Sequence, residues 1–145
     1  MKPVQILGLL ALLPFAAPAG DTPGTGPFDA RPLTLAQFLW VSRPAVVFAD
    51  TPADPAFIRQ MELIGAGLAD LAERDVVVIT DTDPAEPSEI RRALRPRGFS
   101  LVVLDKDGAV MLRKPLPRDV REIGRAIDKS PLRREEMLER NPAGR

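Results

Sequence analysis

The chain has 145 residues, 45% hydrophobic and 28% charged, with 20 basic and 20 acidic side chains that cancel; this composition fits one compact domain and excludes disorder, collagen and a polytopic membrane protein. It contains no cysteine and no histidine. Disulfides, thiol nucleophiles, Cys/His zinc sites, imidazole bases and Ser-His-Asp triads are therefore chemically excluded.

Chemistry is left to carboxylates, Lys/Arg, Ser/Thr and backbone. Ser42, Ser88, Ser100 and Ser130 stand in neither a Ser-x-x-Lys nor a Gly-x-Ser-x-Gly string, and no glycine-rich phosphate loop is present. A binding or interaction domain without a cofactor is the expectation, and enzymatic activity is left open.

Residues 1–19 combine Lys2, an apolar stretch from Val4 to Phe15 and Ala17-Pro18-Ala19 before Gly20. This is the pattern of a secretory signal peptide, and the stretch is shorter than the roughly 18–20 residues needed to span a bilayer. Export to a periplasm or the extracellular space is expected, with no stable membrane insertion after cleavage. Residues 20–32, rich in Gly, Pro and Thr, read as a flexible tether. The folded domain is expected over 33–140 and a frayed tail over 141–145.

Within the domain, Thr34 is placed to cap a short helix through Leu39, and Ala45 to Ala49 is an apolar run typical of a strand buried on both faces. Phe57, Met61, Ile64, Leu68 and Leu71 recur at helical spacing, which predicts one long helix beginning near Pro55. Val76 to Ile79 forms a second buried strand, parallel to the first across that crossover. Ser88 caps a helix through about Leu94, ended by Pro96 and Gly98. Leu101 to Leu104 and Val110 to Leu112 flank Asp105-Lys106-Asp107-Gly108, a hairpin turn. Val120, Ile123 and Ile127 line a helix starting near Pro117, and Ser130-Pro131 opens a last one. This order describes a single α/β domain with a thioredoxin-like four-stranded mixed sheet flanked by helices.

Several strings together carry a resemblance: Trp40-x-x-Arg43-Pro44, Gln60, Arg74-Asp75, Lys106-Asp107-Gly108, and Ile127-Asp128 followed by Pro131-Leu132-Arg133-Arg134-x-Glu136-Met137. The chain resembles, over about Leu33 to Leu138, an uncharacterised thioredoxin-like family of exported bacterial proteins. That family is shared with the extracellular sushi-repeat-containing (SRPX-type) proteins and has peroxiredoxin-like relatives. The resemblance implies fold and export but supplies no catalytic residues. Where a redox thioredoxin carries Cys-x-x-Cys, this chain has Asp50-Thr51-Pro52-Ala53-Asp54-Pro55, so thiol oxidoreductase and peroxidase chemistry through that site is excluded.

Three sets of candidate residues follow. Asp50, Asp54, Asp81 and Asp83 fall after the first two strands, at one sheet edge, where carboxylates could hold a hard divalent cation or serve as ordinary turns and caps. Residues 20–90 hold twelve acidic side chains against four basic ones, whereas residues 91–134 hold thirteen basic against five acidic. Arg91, Arg92 and Arg95 are thus candidates for docking an acidic protein or an anionic envelope component, unless the two halves neutralise one another. Nucleic acid is not expected as a partner, and the chain should be a monomer or a weak homo-oligomer. Trp40 and Arg43 precede the first strand, where an indole fills the core and a guanidinium pairs with an acid, or both contact a ligand. Arg133 and Arg134 occupy the first turn of the last helix, where positive charge opposes the helix dipole; either Asp128 or an acidic partner would offset them.

Overall fold

The computed structural model describes residues 24–142. The expected signal peptide at 1–19, the start of the tether and residues 143–145 lie outside these described residues. Among the described residues, no helix is long and apolar enough to cross a membrane.

The core strand is β2 (Arg43–Phe48), buried at every position. It pairs in parallel with β3 (Val76–Asp81), with Arg43 opposite Val76 and Phe48 opposite Asp81. On its other side it pairs antiparallel with β4 (Ser100–Leu104), which forms the hairpin with β5 (Val110–Lys114). Gly108 supplies the turn's left-handed backbone, φ +88°. A two-residue strand, β1 (Phe28–Asp29), adds in parallel to β3, so the sheet has five strands in the order β1-β3-β2-β4-β5.

Alternate residues of the central strands point to opposite faces and build two cores. Ala45, Val47, Val78, Leu101 and Val103 pack beneath Ile64, Leu71, Ile123 and Ile127. These come from α1 (Pro55–Gly65), α2 (Leu68–Glu73) and α4 (Val120–Asp128). Val46, Phe48, Ile79, Val102 and Leu104 pack on the other face against Ile90 and Leu94 of α3 (Glu89–Leu94) and against Leu35 and Phe38 of a 3-10 turn (Leu35–Phe38). The last helix, α5 (Pro131–Arg140), lies beyond the sandwich.

The structure corrects three expectations. The tether does not run to Pro32: besides the pairing of β1, Val78 N–H donates to Thr25 O at 2.7 Å and Ala30 N–H to Thr80 O at 3.0 Å. Backbone bonds hold this segment, which is why no apolar period announced it. The sheet accordingly has one strand more than expected. The single long helix is two, broken at Ala66-Gly67. A Cβ on Gly67 would stand 2.7 Å from Val120 Cβ, so glycine admits α4 at the break, and Leu68, expected on the apolar stripe, is exposed.

Candidate functional site

Two arginines lie buried at opposite ends of the sheet. Arg43, at the start of β2, is 0% exposed. Its Nε donates to Asp105 Oδ1 at 3.0 Å, its Nη1 to Arg74 O at 3.0 Å and Glu136 Oε2 at 3.1 Å, and its Nη2 to Glu136 Oε1 at 2.9 Å. Asp105 ends β4, and its second oxygen accepts from Ser130 Oγ, the cap of α5. Glu136, on α5, also accepts from Lys106 Nζ at 2.9 Å, and Lys106 reaches Asp75 at 2.8 Å. One network thus ties β2, the β4–β5 turn, the start of β3 and α5 together. Burial raises the Glu136 pKa, but hydrogen bonds from Arg43 and Lys106 outweigh it and leave it at about 2.

Arg91 occupies the other end. Its Nε and Nη2 donate to Asp81 Oδ1 at 3.1 and 3.0 Å, and Nη2 also donates to Ala49 O at 2.9 Å. The remaining Asp81 oxygen accepts from Ser88 Oγ at 2.7 Å, and Ser88 Oγ accepts from Arg91 N–H at 3.0 Å as the cap of α3. Burial pushes the Asp81 carboxyl up, yet the Arg91 and Ser88 hydrogen bonds hold it below its usual value. The Arg91 guanidinium also lies 5.3 Å from the centroid of the Phe48 ring.

These contacts correct several sequence expectations. Asp81 and Arg91, placed in separate acidic and basic patches, are partners: Arg91 is interior, and both Asp81 oxygens are engaged. Asp54 caps α1 by accepting from Ala56 N–H at 2.8 Å, Asp83 accepts from Ala85 N–H at 3.1 Å, and Asp50 is exposed. The described residues hold no group of three or more acidic side chains placed for a metal, and Asp54, Asp81 and Asp83 at this edge make cap, ion-pair and turn contacts. Ion pairs cross between the two charge halves in both senses: Asp75 and Asp81 pair with Lys106 and Arg91, while Arg43 and Arg74 pair with Asp105 and Asp128. Arg92 and Arg95 are exposed, with Arg95 in the left-handed conformation that ends α3.

Trp40 does not fill the core. It is 68% exposed between exposed Leu39 and Val41, with φ 62°. Its N–H donates to Lys106 O at 2.8 Å, which fixes the indole's base to the turn that carries the Arg43 network. The neighbouring Leu39 lines a cavity of about 210 Å³ together with Leu35, Phe38, Pro44 and Leu104. Arg43 makes the acidic pairing that was one of its two expected roles. Arg133 is buried and pairs with Glu136, not with Asp128, whose carboxylate is held by Arg74 at 3.0 Å. That bond lowers the Asp128 pKa and raises the Arg74 pKa. Arg134 is exposed.

Sequence reasoning did not single out Asp105, Lys106, Glu136 or Ser130 as one unit. The signal was present only indirectly, because Lys106, Glu136 and Arg43 all belong to the strings that carry the resemblance while standing 30 to 93 residues from one another. The structure brings Trp40, Arg43, Arg133 and Arg134 to one end of the molecule through α5 and the β4–β5 turn. It leaves Arg91 in the network at the other sheet end, on α3 with Arg92 and just before Arg95.

The fold has solved counterparts. The chain is similar to a reduced 2-Cys peroxiredoxin of Plasmodium vivax, at 18% identity and TM-score 0.55, over 72% of this chain and 85% of that one. It is also similar to Plasmodium yoelii Prx1a, at 19% identity and TM-score 0.50, over 75% and 82%. At such identities the likeness establishes the thioredoxin-like fold, while the cysteine content of the first neighbour's name has no counterpart here. No curated protein matches the chain. The family model described as a domain of unknown function, DUF4174, matches residues 34–136, and the chain belongs to that family.

Proposed function

We propose that the protein is an exported, non-catalytic binding module that presents the Leu39-Trp40-Val41 corner to a protein or an anionic component of the cell envelope. The observation that carries this reading is the exposed Trp40: a large aromatic side chain left in water, on left-handed backbone whose amide N–H donates to Lys106 O. Tryptophan is the residue type most enriched among those that dominate binding energy, and a pre-positioned one loses little freedom on docking. The signal pattern at 1–19 and the resemblance to exported bacterial and SRPX-type proteins support the localisation. The engaged state of Asp81 and Arg91 favours a scaffold over a carboxylate-dependent enzyme. Self-association, if any, is weak.

Trp40 is the chain's single tryptophan, so its fluorescence reports on the corner directly. Titration with fractionated envelope components should shift its emission to the blue, and Trp40→Ala should abolish capture of the same component. Emission unmoved by every fraction, with capture intact in Trp40→Ala, would contradict the reading. Export is checked separately by the N-terminus of the secreted protein, which should be Gly20.

A further inference from the structure

Buried arginines in this molecule are well supplied with acceptors, with one exception. Arg43 and Arg91 each engage both carboxylate and backbone oxygens. Arg133 is 6% exposed, yet the single hydrogen bond of its guanidinium among the described residues is from Nη1 to Glu136 Oε2, at 3.3 Å. Its Nε, closed off from solvent, has no partner among the described residues. Glu136 cannot serve it better, because Arg43 and Lys106 already hold both carboxylate oxygens at 2.9 to 3.1 Å. Leaving a buried charged donor unpaired costs more than leaving a neutral one, so such a group calls for an acceptor.

The guanidinium has a particular shape. The N–H groups of an arginine project side by side from the edges of a rigid plane, as forks that match the two oxygens of one carboxylate. Charge counting agrees. Around this pole, Arg43, Arg74, Lys106, Arg133 and Arg140 share Asp75, Asp105, Asp128 and Glu136, which leaves one cation in excess.

Arg133 also lines a cleft of about 640 Å³ between α2, α4 and α5. Met137 and Leu138, 50% and 62% exposed, supply its apolar wall, and Arg134 adds a second positive charge. Glu73 and Asp128 line it too; they disfavour a divalent anion such as phosphate and are tolerable beside a monoanion, since Arg74 already neutralises Asp128. Arg118 Nε shares the unpaired condition of Arg133 Nε but lines none of the cavities described, so that arginine has no comparable setting.

We propose that this cleft binds a carboxylate carried on an apolar chain, with the Arg133 guanidinium holding the carboxylate and Met137 and Leu138 covering the chain. A small aliphatic acid and the carboxyl terminus of an apolar peptide share this chemistry. The site is independent of the Trp40 corner, and the failure of either leaves the other standing.

The test is isothermal titration of the full chain with octanoate, acetate, inorganic phosphate, N-acetyl-leucyl-leucine and the amide of that dipeptide. Octanoate should bind saturably, and acetate and phosphate at least tenfold more weakly. Binding of the dipeptide acid but not its amide assigns the source to peptide carboxyl termini, and octanoate binding alone assigns it to aliphatic acids. Arg133→Gln should weaken the bound acid at least tenfold while Arg92→Gln, on α3, leaves it unchanged. Leu138→Asp, at an exposed position that the fold tolerates, should weaken it as well and keeps the test decisive if Arg133→Gln does not fold. No saturable binding of either acid, or binding equal in native chain and Leu138→Asp, would overturn the proposal.

Discussion

The two ends of the sheet solve one problem, a buried guanidinium, in different ways. At the Arg91 end the guanidinium's acceptors come from the adjoining strand ends, Asp81 ten residues away and Ala49 O 42 away, and Ser88 at the start of the arginine's own helix holds the second Asp81 oxygen. At the Arg43 end the carboxylates stand 62 and 93 residues away, and one of them arrives on α5. The first arrangement belongs to the sandwich itself, while the second exists only when the last helix has docked. A buried ion pair is costly to desolvate and is held by its remaining hydrogen bonds, so α5 and Arg43 depend on one another.

The largest expected effect breaks that dependence outright. Arg43→Ala leaves Asp105 and Glu136 without their main partner and should cost about 3–5 kcal/mol in urea unfolding. Amide exchange in α5 should accelerate more than in α3. Arg91→Ala should give the opposite pattern, with α3 loosened and α5 still protected. Equal loosening of both helices in both variants would show that the two ends are not separate units.

Acid tests the Arg43 end next. Because Glu136 titrates at about 2 in the folded chain against 4.5 for the free group, its ionised form contributes stability that is complete above about pH 4.5 and is lost as pH falls through about 2. At about 1.4 kcal/mol per pH unit of displacement the loss is on the order of 3 kcal/mol. Glu136→Gln should remove this share of the acid dependence, measured as unfolding free energy from pH 5 to pH 2, and leave the share that the depressed Asp81 and Asp128 carboxyls contribute. Ser130→Ala follows, removing both the α5 cap and the bond to Asp105, at about 1–2 kcal/mol by thermal unfolding. Trp40→Gly should have the smallest effect, within about 1 kcal/mol of the native stability, because the indole is exposed and glycine accepts positive φ without strain. A larger loss would mean that Trp40 packs in solution.

Much of the sandwich was legible because it obeys local rules. The apolar run Ala45–Ala49, the Val76–Ile79 run, the Ser88 and Ser130 caps and the Asp107-Gly108 turn each carry their conformation in a few adjacent residues. β1 was not legible, because two residues held by backbone bonds to β3 leave no side-chain pattern. Nor was the helix break, since Gly67 matters through the distant Val120. The candidate site was read least well where charges meet across the fold: composition separated Asp81 from Arg91 into opposed patches, and only the packing of α3 on the ends of β2 and β3 makes them a pair. Pairing with an acid was one of the two readings of Arg43, and the pair is present, but the acid on α5 could not be named from spacing.

The most direct measurement is a double-mutant cycle on Arg43→Met and Glu136→Gln, followed by urea unfolding at neutral pH. If α5 is fastened by this pair, the two substitutions should show a coupling of at least about 2 kcal/mol, the double variant losing far less than the sum of the singles. Additivity within about 0.5 kcal/mol would mean that α5 docks without Arg43 and would contradict the account.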